Sequence, residues 1–307
     1  MRARTRSLWF ATITAAFIAA GCSTTQQVRL PDHAVVTLQP GDASVGTYVA
    51  KPRGFSTSSY WIEGPQGLIV VDTQFLLSSA EELINWAEFS TGKRVVAGLV
   101  LHPNPDKFNG VEVFKKRGIP VYTSEQVRML IPTVHEDRHH WFYERFKPDY
   151  PNSVPLPESF GNKTQTLSYG GVELKAHVLG AGCSEAHVVV EHRKHVFVGD
   201  LVASLHHSWL EIGKIDEWLK RLDYIQKLEP EYVHPGRGPS GGPELLTRQI
   251  AYLKKVKELI LKERPRGEPN EAAIARVQRK LEELYTSYGH EYFLEIGLPA
   301  VWAAYAK

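Results

Sequence analysis

At 307 residues, 43% hydrophobic and 23% charged, the chain is long enough for one large core or two small ones, and one main domain with appendages is expected. Its 36 basic and 34 acidic residues leave a formal charge of +2, which excludes the strongly basic surface that a nucleic-acid partner requires. Only two cysteines are present, so at most one disulfide can form.

Residues 1–21 read as a secretory signal: Arg2, Arg4 and Arg6 precede an apolar run over residues 8–20 that stops at small residues and Cys22. The run is shorter than the roughly 20 apolar residues of a spanning helix. Ala19-Ala20-Gly21-Cys22 resembles a bacterial lipobox, which implies cleavage before Cys22 and a diacylglycerol on its sulfur. The mature protein is then a periplasm-facing lipoprotein of the cell envelope, and Ser23 resembles the sorting residue of lipoproteins sent to the outer membrane. With Cys22 acylated, Cys183 is the only thiol left, and no intramolecular disulfide is expected.

Residues 22–44 are polar and Pro-punctuated, which predicts a linker without a core of its own. The main domain is placed at 45–242. Its first part reads as three strands, "TYVAKP", "SSYWIEG" and "GLIVVDT", with turns at Gly54 and Pro65-Gly67. A helix over 78–90, an apolar strand over 95–101 and a helix-like segment over 109–117 follow. Residues 124–162, rich in aromatics, His and Pro, read as an irregular or helical insertion. Strands resume in "GGVELKAHVLG", "AHVVVEH" and "KHVFVGD"; an amphipathic helix over 215–228 leads to the short strand "EYVHPG". Residues 243–307 read as helices broken near Pro265 to Pro269 and packed back on the domain.

Polar residues gather where the apolar strands end: Asp72 in "VVDT", His102 to Lys107 in "LHPNPDK", Cys183 in "GAGCSEAH", Asp200 in "VFVGD" and Arg237 in "HPGRG". Order, spacing and local context over residues 48–242 resemble the metallo-β-lactamase fold superfamily. The resemblance implies a four-layer αβ/βα sandwich of mixed α and β structure with its site along one sheet edge, and a helical C-terminal extension like that of hydrolase-type members. It also implies hydrolysis of an ester, thioester, amide or phosphate bond by metal-bound hydroxide, although β-lactam hydrolysis itself is not expected.

Against that family's pattern the ligand set is depleted. Members with a dinuclear centre read H-x-H-x-D-H at the first station, where this chain has His102-x-Asn104-x-Asp106-Lys107. Cys183 stands where the second station carries a histidine, Asp200 keeps the bridging acid, and Arg237 stands at the last histidine. The resemblance thus implies His102, Cys183 and Asp200 as ligands of at most one zinc, with Asp106 as a further candidate; a neutral amide such as Asn104 is a poor ligand. In this reading Asp106 orients the nucleophile, and Lys107 or Arg237 stabilises the oxyanion. A metal-free alternative is equally consistent: Lys107 and Arg237 close a salt-bridged network with Asp106 and Asp200 and hold an anionic ligand in the old substrate cleft of an inactive binding protein. Cys183 is then an inert packed thiol, or a thiolate activated by the nearby cations.

Two further histidine motifs need placing. "HEDRH", His135 to His139, matches the H-E-x-x-H zinc motif with Glu158 as a third ligand, but Pro132 and the flanking charges favour an aromatic-rich lid instead. His206 and His207 are expected at the mouth of the site.

Overall fold

The computed structural model describes residues 27–29, 34–39 and 41–306. The signal segment and Cys22 lie outside the described residues. The chain forms two sheets. The first runs in sequence order from β1 (Gln27–Arg29) through β2 (Val35–Gln39), β3 (Asp42–Val49), β4 (Ser58–Gly64), β5 (Gly67–Val71), β6 (Val95–Leu99) and β7 (Val121–Thr123) to β8 (Glu158–Ser159). It is antiparallel up to β5 and parallel from there on. The second sheet holds β9 (Gln165–Tyr169), β10 (Val172–Leu179), β11 (His187–His192), β12 (His195–Ala203) and β13 (Tyr232–Arg237), antiparallel except for the β12–β13 pair.

Helices cover the outer faces. α1 (Leu77–Thr91) and α3 (Val111–Lys116) lie on the first sheet, with the short α2 (Pro105–Phe108) at its edge. The insertion is α4 (Glu125–Phe146), 22 residues capped by Ser124, whose hydroxyl accepts from Val127 N. Pro132 sits inside α4 on its exposed side and does not end it. α5 (Ile215–Gln226), α6 (Glu244–Lys262), α7 (Glu271–Leu284) and α8 (Tyr292–Tyr305) cover the second sheet.

Local sequence explains these choices. β5 is a fully buried run, GLIVV, as expected of a strand covered on both faces. α5 buries Ile215, Trp218, Leu222 and Ile225 along one stripe and carries Asp216 and Glu217 in its first turn, where the helix dipole favours them. One core fills the sandwich between the sheets and under α1 and α3; a second lies between the second sheet and the four C-terminal helices.

One expectation is corrected. The segment read as a linker through residue 44 is the hairpin β2–β3, and Ala34 and Val36 are buried in the main core. The turn uses Gly41 at φ 85°, and Asp42 accepts from Ser44 N at 2.9 Å. Asp42 also anchors a buried chain: its carboxylate meets His195 Nε2 at 3.1 Å, His195 Nδ1 meets His234 Nε2 at 2.9 Å, and Ser240 Oγ meets His234 Nδ1 at 2.9 Å. Polarity there marks pairing to β12 and β13, not solvation.

Candidate functional site

β5 and β6 of the first sheet and β12 and β13 of the second converge at one edge of the sandwich and, with α2, bring together Asp72, His102, Asp106, Lys107, Asp200 and Arg237, all buried. Lys107 is fully buried. Its Nζ lies 3.1 Å from Asp106 Oδ2, 3.0 Å from Asp200 Oδ1 and 3.9 Å from Asp72 Oδ2. Arg237 spans the same two acids, with Nη2 2.7 Å from Asp106 Oδ2 and Nη1 on Asp200 Oδ2; Nε donates to Phe55 O at 3.2 Å. Thr57 Oγ1 donates to Asp106 Oδ2 at 3.1 Å.

The backbone is shaped around this network. Asp72 holds φ 63°, the left-handed region that non-glycine residues avoid, and its Oδ1 accepts from Leu101 N at 2.9 Å. At Gly236 a Cβ would lie 1.9 Å from Asp200 Oδ1, so only glycine lets the carboxylate rest against β13.

Charges follow the geometry. Burial acts to neutralise Asp200, but Arg237 and Lys107 hold its carboxyl far below the usual range; the same two cations lower Asp106. Burial opposes the Lys107 ammonium, yet Asp106, Asp200 and Asp72 push it up. Asp72, desolvated more than it is compensated, rises to about 7.

A second cluster lies beside the first. His102 Nδ1 meets Ser184 Oγ at 3.3 Å, while its Nε2 has no hydrogen-bond partner and stands 3.7 Å from Asp200 Oδ2. Cys183 Sγ lies 3.7 Å from His187 Nε2, which accepts from Ser184 N at 3.2 Å. One donor atom from each of His102, Cys183 and His187 lies within 4.8 Å of the others, the one such group among the described residues. Burial and Asp200 push the Cys183 thiol well up, more than Lys107 lowers it, so a cation-activated thiolate is not what the geometry makes. Burial holds His102 down to about 4.

Over the network opens a cavity of about 230 Å³. Asp106, Asp200 and Arg237 line its floor; Phe55, Phe75, Trp141, Phe142, Trp209 and Phe293 are among its walls. α4 and α8 supply most of the rim, including the exposed Arg145 and Tyr292. Lys107 lies behind the acids and does not line the cavity.

The other histidine motifs fall elsewhere. His135 is buried in α4 near Phe108 and Tyr150, His139 stacks on Tyr143, and Glu136 is exposed. Glu158 is exposed on β8. His207 turns inward, its Nδ1 3.0 Å from Tyr252 OH, and His206 packs on His290, so neither lines the cavity. Sequence reasoning missed His187, although the C-x-x-x-H spacing from Cys183 was visible; the aromatic-rich lid expected beside His135 to His139 supplies Trp141 and Phe142, whereas Phe55, Phe75, Trp209 and Phe293 were missed.

Asp106 and Asp200 are both paired to Arg237 and Lys107, so neither is a free metal ligand, while His102, Cys183 and His187 are a donor set whose chemistry suits a transition ion.

Two sheets with outer helices and a polar cluster at one edge define an αβ/βα sandwich. Residues 52–237 match the model of the metallo-β-lactamase superfamily, and the chain belongs to that superfamily. It is 26% identical over 191 residues to the metallo-β-lactamase type 2 of Bacteroides fragilis, covering 59% of this chain and 69% of that enzyme. It is 23% identical over 252 residues to the type 2 enzyme of Bacillus cereus, covering 76% and 91%. Among solved structures it shares the fold of the metallo-β-lactamase from Pontibacter korlensis (TM-score 0.54, 20% identity, 75% of this chain and 99% of that one). It also shares that of the DIM-1 metallo-β-lactamase (TM-score 0.57, 20% identity, 71% and 97%).

The buried histidines set a pH dependence. Burial depresses His102 to about 4, His234 and His290 to about 3, and His187 well below its ordinary value. In the unfolded chain each takes a proton near pH 6.5. The folded state does not, so their contribution is complete above about 6.5 and is lost as pH falls toward the folded values. Asp72 acts in the opposite sense, its contribution fading as pH rises through about 7. Stability is expected to peak near pH 7, and the melting temperature to fall by roughly 10 °C by pH 4.5. A flat calorimetric profile between pH 7 and 4.5 would contradict the burial of these rings.

Proposed function

We propose that this chain is a ligand-binding member of its superfamily that has given up dinuclear hydrolysis and holds at most one zinc ion. The observation that carries this reading is the Lys107 and Arg237 pair closed on Asp106 and Asp200. A unit charge about 4 Å away costs roughly 4 kcal/mol at a surface-like dielectric, and the repulsion on a divalent ion is larger. The cavity suits a small ligand with an apolar ring or short hydrocarbon body and an anionic group, the body against Phe75, Phe142 and Phe293 and the anion on Arg145 at the rim. Arg138 is less free to serve, since it pairs with Glu211 and stacks on Trp141 at 4.2 Å. Zinc loading followed by desalting and elemental analysis is expected to give no more than one ion per chain. Ester, thioester, amide, phosphodiester and β-lactam substrates should show no metal-dependent turnover. A reproducible value near two ions overturns the proposal.

The rival reading keeps hydrolysis of an ester, thioester, amide or phosphate bond at a single zinc, and the buried, unpartnered Nε2 of His102 favours it. A bound zinc would supply an activated water. Asp106 and Arg237 on the cavity floor would orient the nucleophile and receive the developing negative charge. Turnover that is lost with chelator and restored by one equivalent of zinc selects this reading.

Anchoring is part of the proposal. The motif Ala19-Ala20-Gly21-Cys22 is what supports attachment through Cys22. Cys22→Ala expressed in a bacterium is expected to lose diacylglycerol labelling and membrane association; unchanged labelling ends the lipoprotein claim.

A further inference from the structure

We infer that His102, Cys183 and His187 form a mononuclear site of one thiolate and two imidazoles for a soft or borderline transition ion, zinc or copper, with His187 in place of Asp200. The inference rests on the proposed function only in that one ion has room. It does not depend on what the cavity binds.

Three elements deliver the donors: the loop after β6 carries His102, the turn after β10 carries Cys183, and β11 opens on His187. Gly182 N donates to Ser184 O at 2.8 Å, a tight turn that holds Cys183 near the first residue of β11. Around a tetrahedral zinc, with bonds of about 2.0–2.1 Å to nitrogen and 2.3 Å to sulfur, donor atoms stand roughly 3.3–3.8 Å apart. Cys183 and His187 already meet this at 3.7 Å, and the widest spacing in the group, up to 4.8 Å, closes by about an ångström of side-chain rotation.

Beyond the clustering of donors, one orphaned atom points to a ligand there. His102 is fully buried and its Nε2 has no hydrogen-bond partner. A buried nitrogen left unpaired costs free energy that a bound ion recovers at the donor atom. Ser184 N gives up its 3.2 Å contact with His187 Nε2 when that nitrogen turns to the ion.

Asp200 is the wrong third ligand. Its Oδ2 is held by Arg237, its Oδ1 lies 3.0 Å from Lys107, and freeing either oxygen leaves a buried cation unpaired. As a neighbour it still helps, placing a negative charge 3.7 Å from His102 Nε2. One thiolate with two imidazoles selects zinc, cobalt or copper and rejects magnesium and calcium, which need oxygen ligands. Binding forms a metal–sulfur bond and releases the Cys183 proton to solvent. A crevice of about 70 Å³ lined by Asn104, Cys183, Ser184 and Arg138 gives the ion a path.

The test titrates cobalt(II) into the metal-stripped protein. One equivalent is expected to raise a thiolate-to-cobalt charge-transfer band. Cys183→Ser should abolish the band, and His187→Ala should weaken binding at least about tenfold, equivalent to 1.4 kcal/mol. The His135→Ala, His139→Ala double variant should keep both band and affinity. Near-ultraviolet circular dichroism checks each fold, and X-ray absorption on the zinc-loaded parent, which needs no variant, should show one sulfur and at least two nitrogen scatterers. Absence of the band in the folded parent, or a shell of oxygen alone, overturns the inference. So does loss of the band in Asp200→Asn together with its survival in His187→Ala, which assigns the ion to the carboxylate set. Two ions per chain refutes the proposed function and leaves this assignment standing if one of them is sulfur-bound.

Discussion

Arg237→Ala is expected to lower the melting temperature at pH 7 by roughly 6–20 °C. The guanidinium is the partner of both Asp106 and Asp200, each buried, and its removal leaves two carboxylates sharing only Lys107. Removing one partner of a buried ion pair costs about 3–5 kcal/mol, because the remaining charge has lost its compensation and cannot reach water. For a domain of this size each kcal/mol moves the midpoint by about 2–4 °C. Arg237→Leu combined with Asp200→Asn removes one charge of each sign and leaves Lys107 on Asp106. That double variant should therefore melt above Arg237→Ala. Calorimetry decides it: a single variant within about 2 °C of the parent means that the network carries no stability and that water, not the guanidinium, neutralises the acids.

Much of this site was legible because it sits at strand ends. Apolar runs that stop at Asp72, His102 and Cys183 mark where backbone leaves the sheet, while Asp200 interrupts the apolar run of β12 and Arg237 ends β13. Lys107 and Arg237 were readable as partners of Asp106 and Asp200, because two cations beside two acids can close a salt-bridged network. Their division of labour was not: that Lys107 is enclosed while Arg237 faces the cavity depends on side-chain direction at α2 and β13.

Three features escaped for physical reasons. Residues 22–44 read as a linker because Pro40 and Gly41 sit among polar residues, yet Asp42 pairs with His195 on the distant strand β12. α4 buries Val127, Ile131, His135, Arg138 and Phe146, a mixture too polar for a helical stripe to stand out. The aromatic walls join Phe55 and Phe75 to Phe293, more than 200 residues apart in the chain, and no local periodicity reports such a meeting.

Replacing Asn104, Lys107, Cys183 and Arg237 together with histidine is expected to raise zinc binding from at most one ion to two per chain. The sandwich already gathers His102, Asp106 and Asp200 at one edge, and His102 Nε2 has no hydrogen-bond partner and stands 3.7 Å from Asp200. Four imidazoles supply the missing neutral nitrogen donors, and zinc accepts such a set. The same changes remove both cations, and with them a repulsion of roughly 4 kcal/mol per unit charge at about 4 Å. Neither effect suffices alone. Asn104→His with Cys183→His leaves Lys107 and Arg237 on the acids, so one zinc is expected. Lys107→His with Arg237→His frees the acids but leaves Asn104, a weak ligand, and is expected to fold poorly without metal. Zinc should therefore raise the melting temperature of the fourfold variant far more than that of the parent, since an ion that binds only the folded state stabilises it by mass action. Titration calorimetry on monodisperse protein, with circular dichroism to establish folding, measures the stoichiometry. A folded fourfold variant that takes up no more zinc than the parent would mean that these four side chains do not point at a common centre. The charge network would then be a structural feature of this edge with no relation to a metal site.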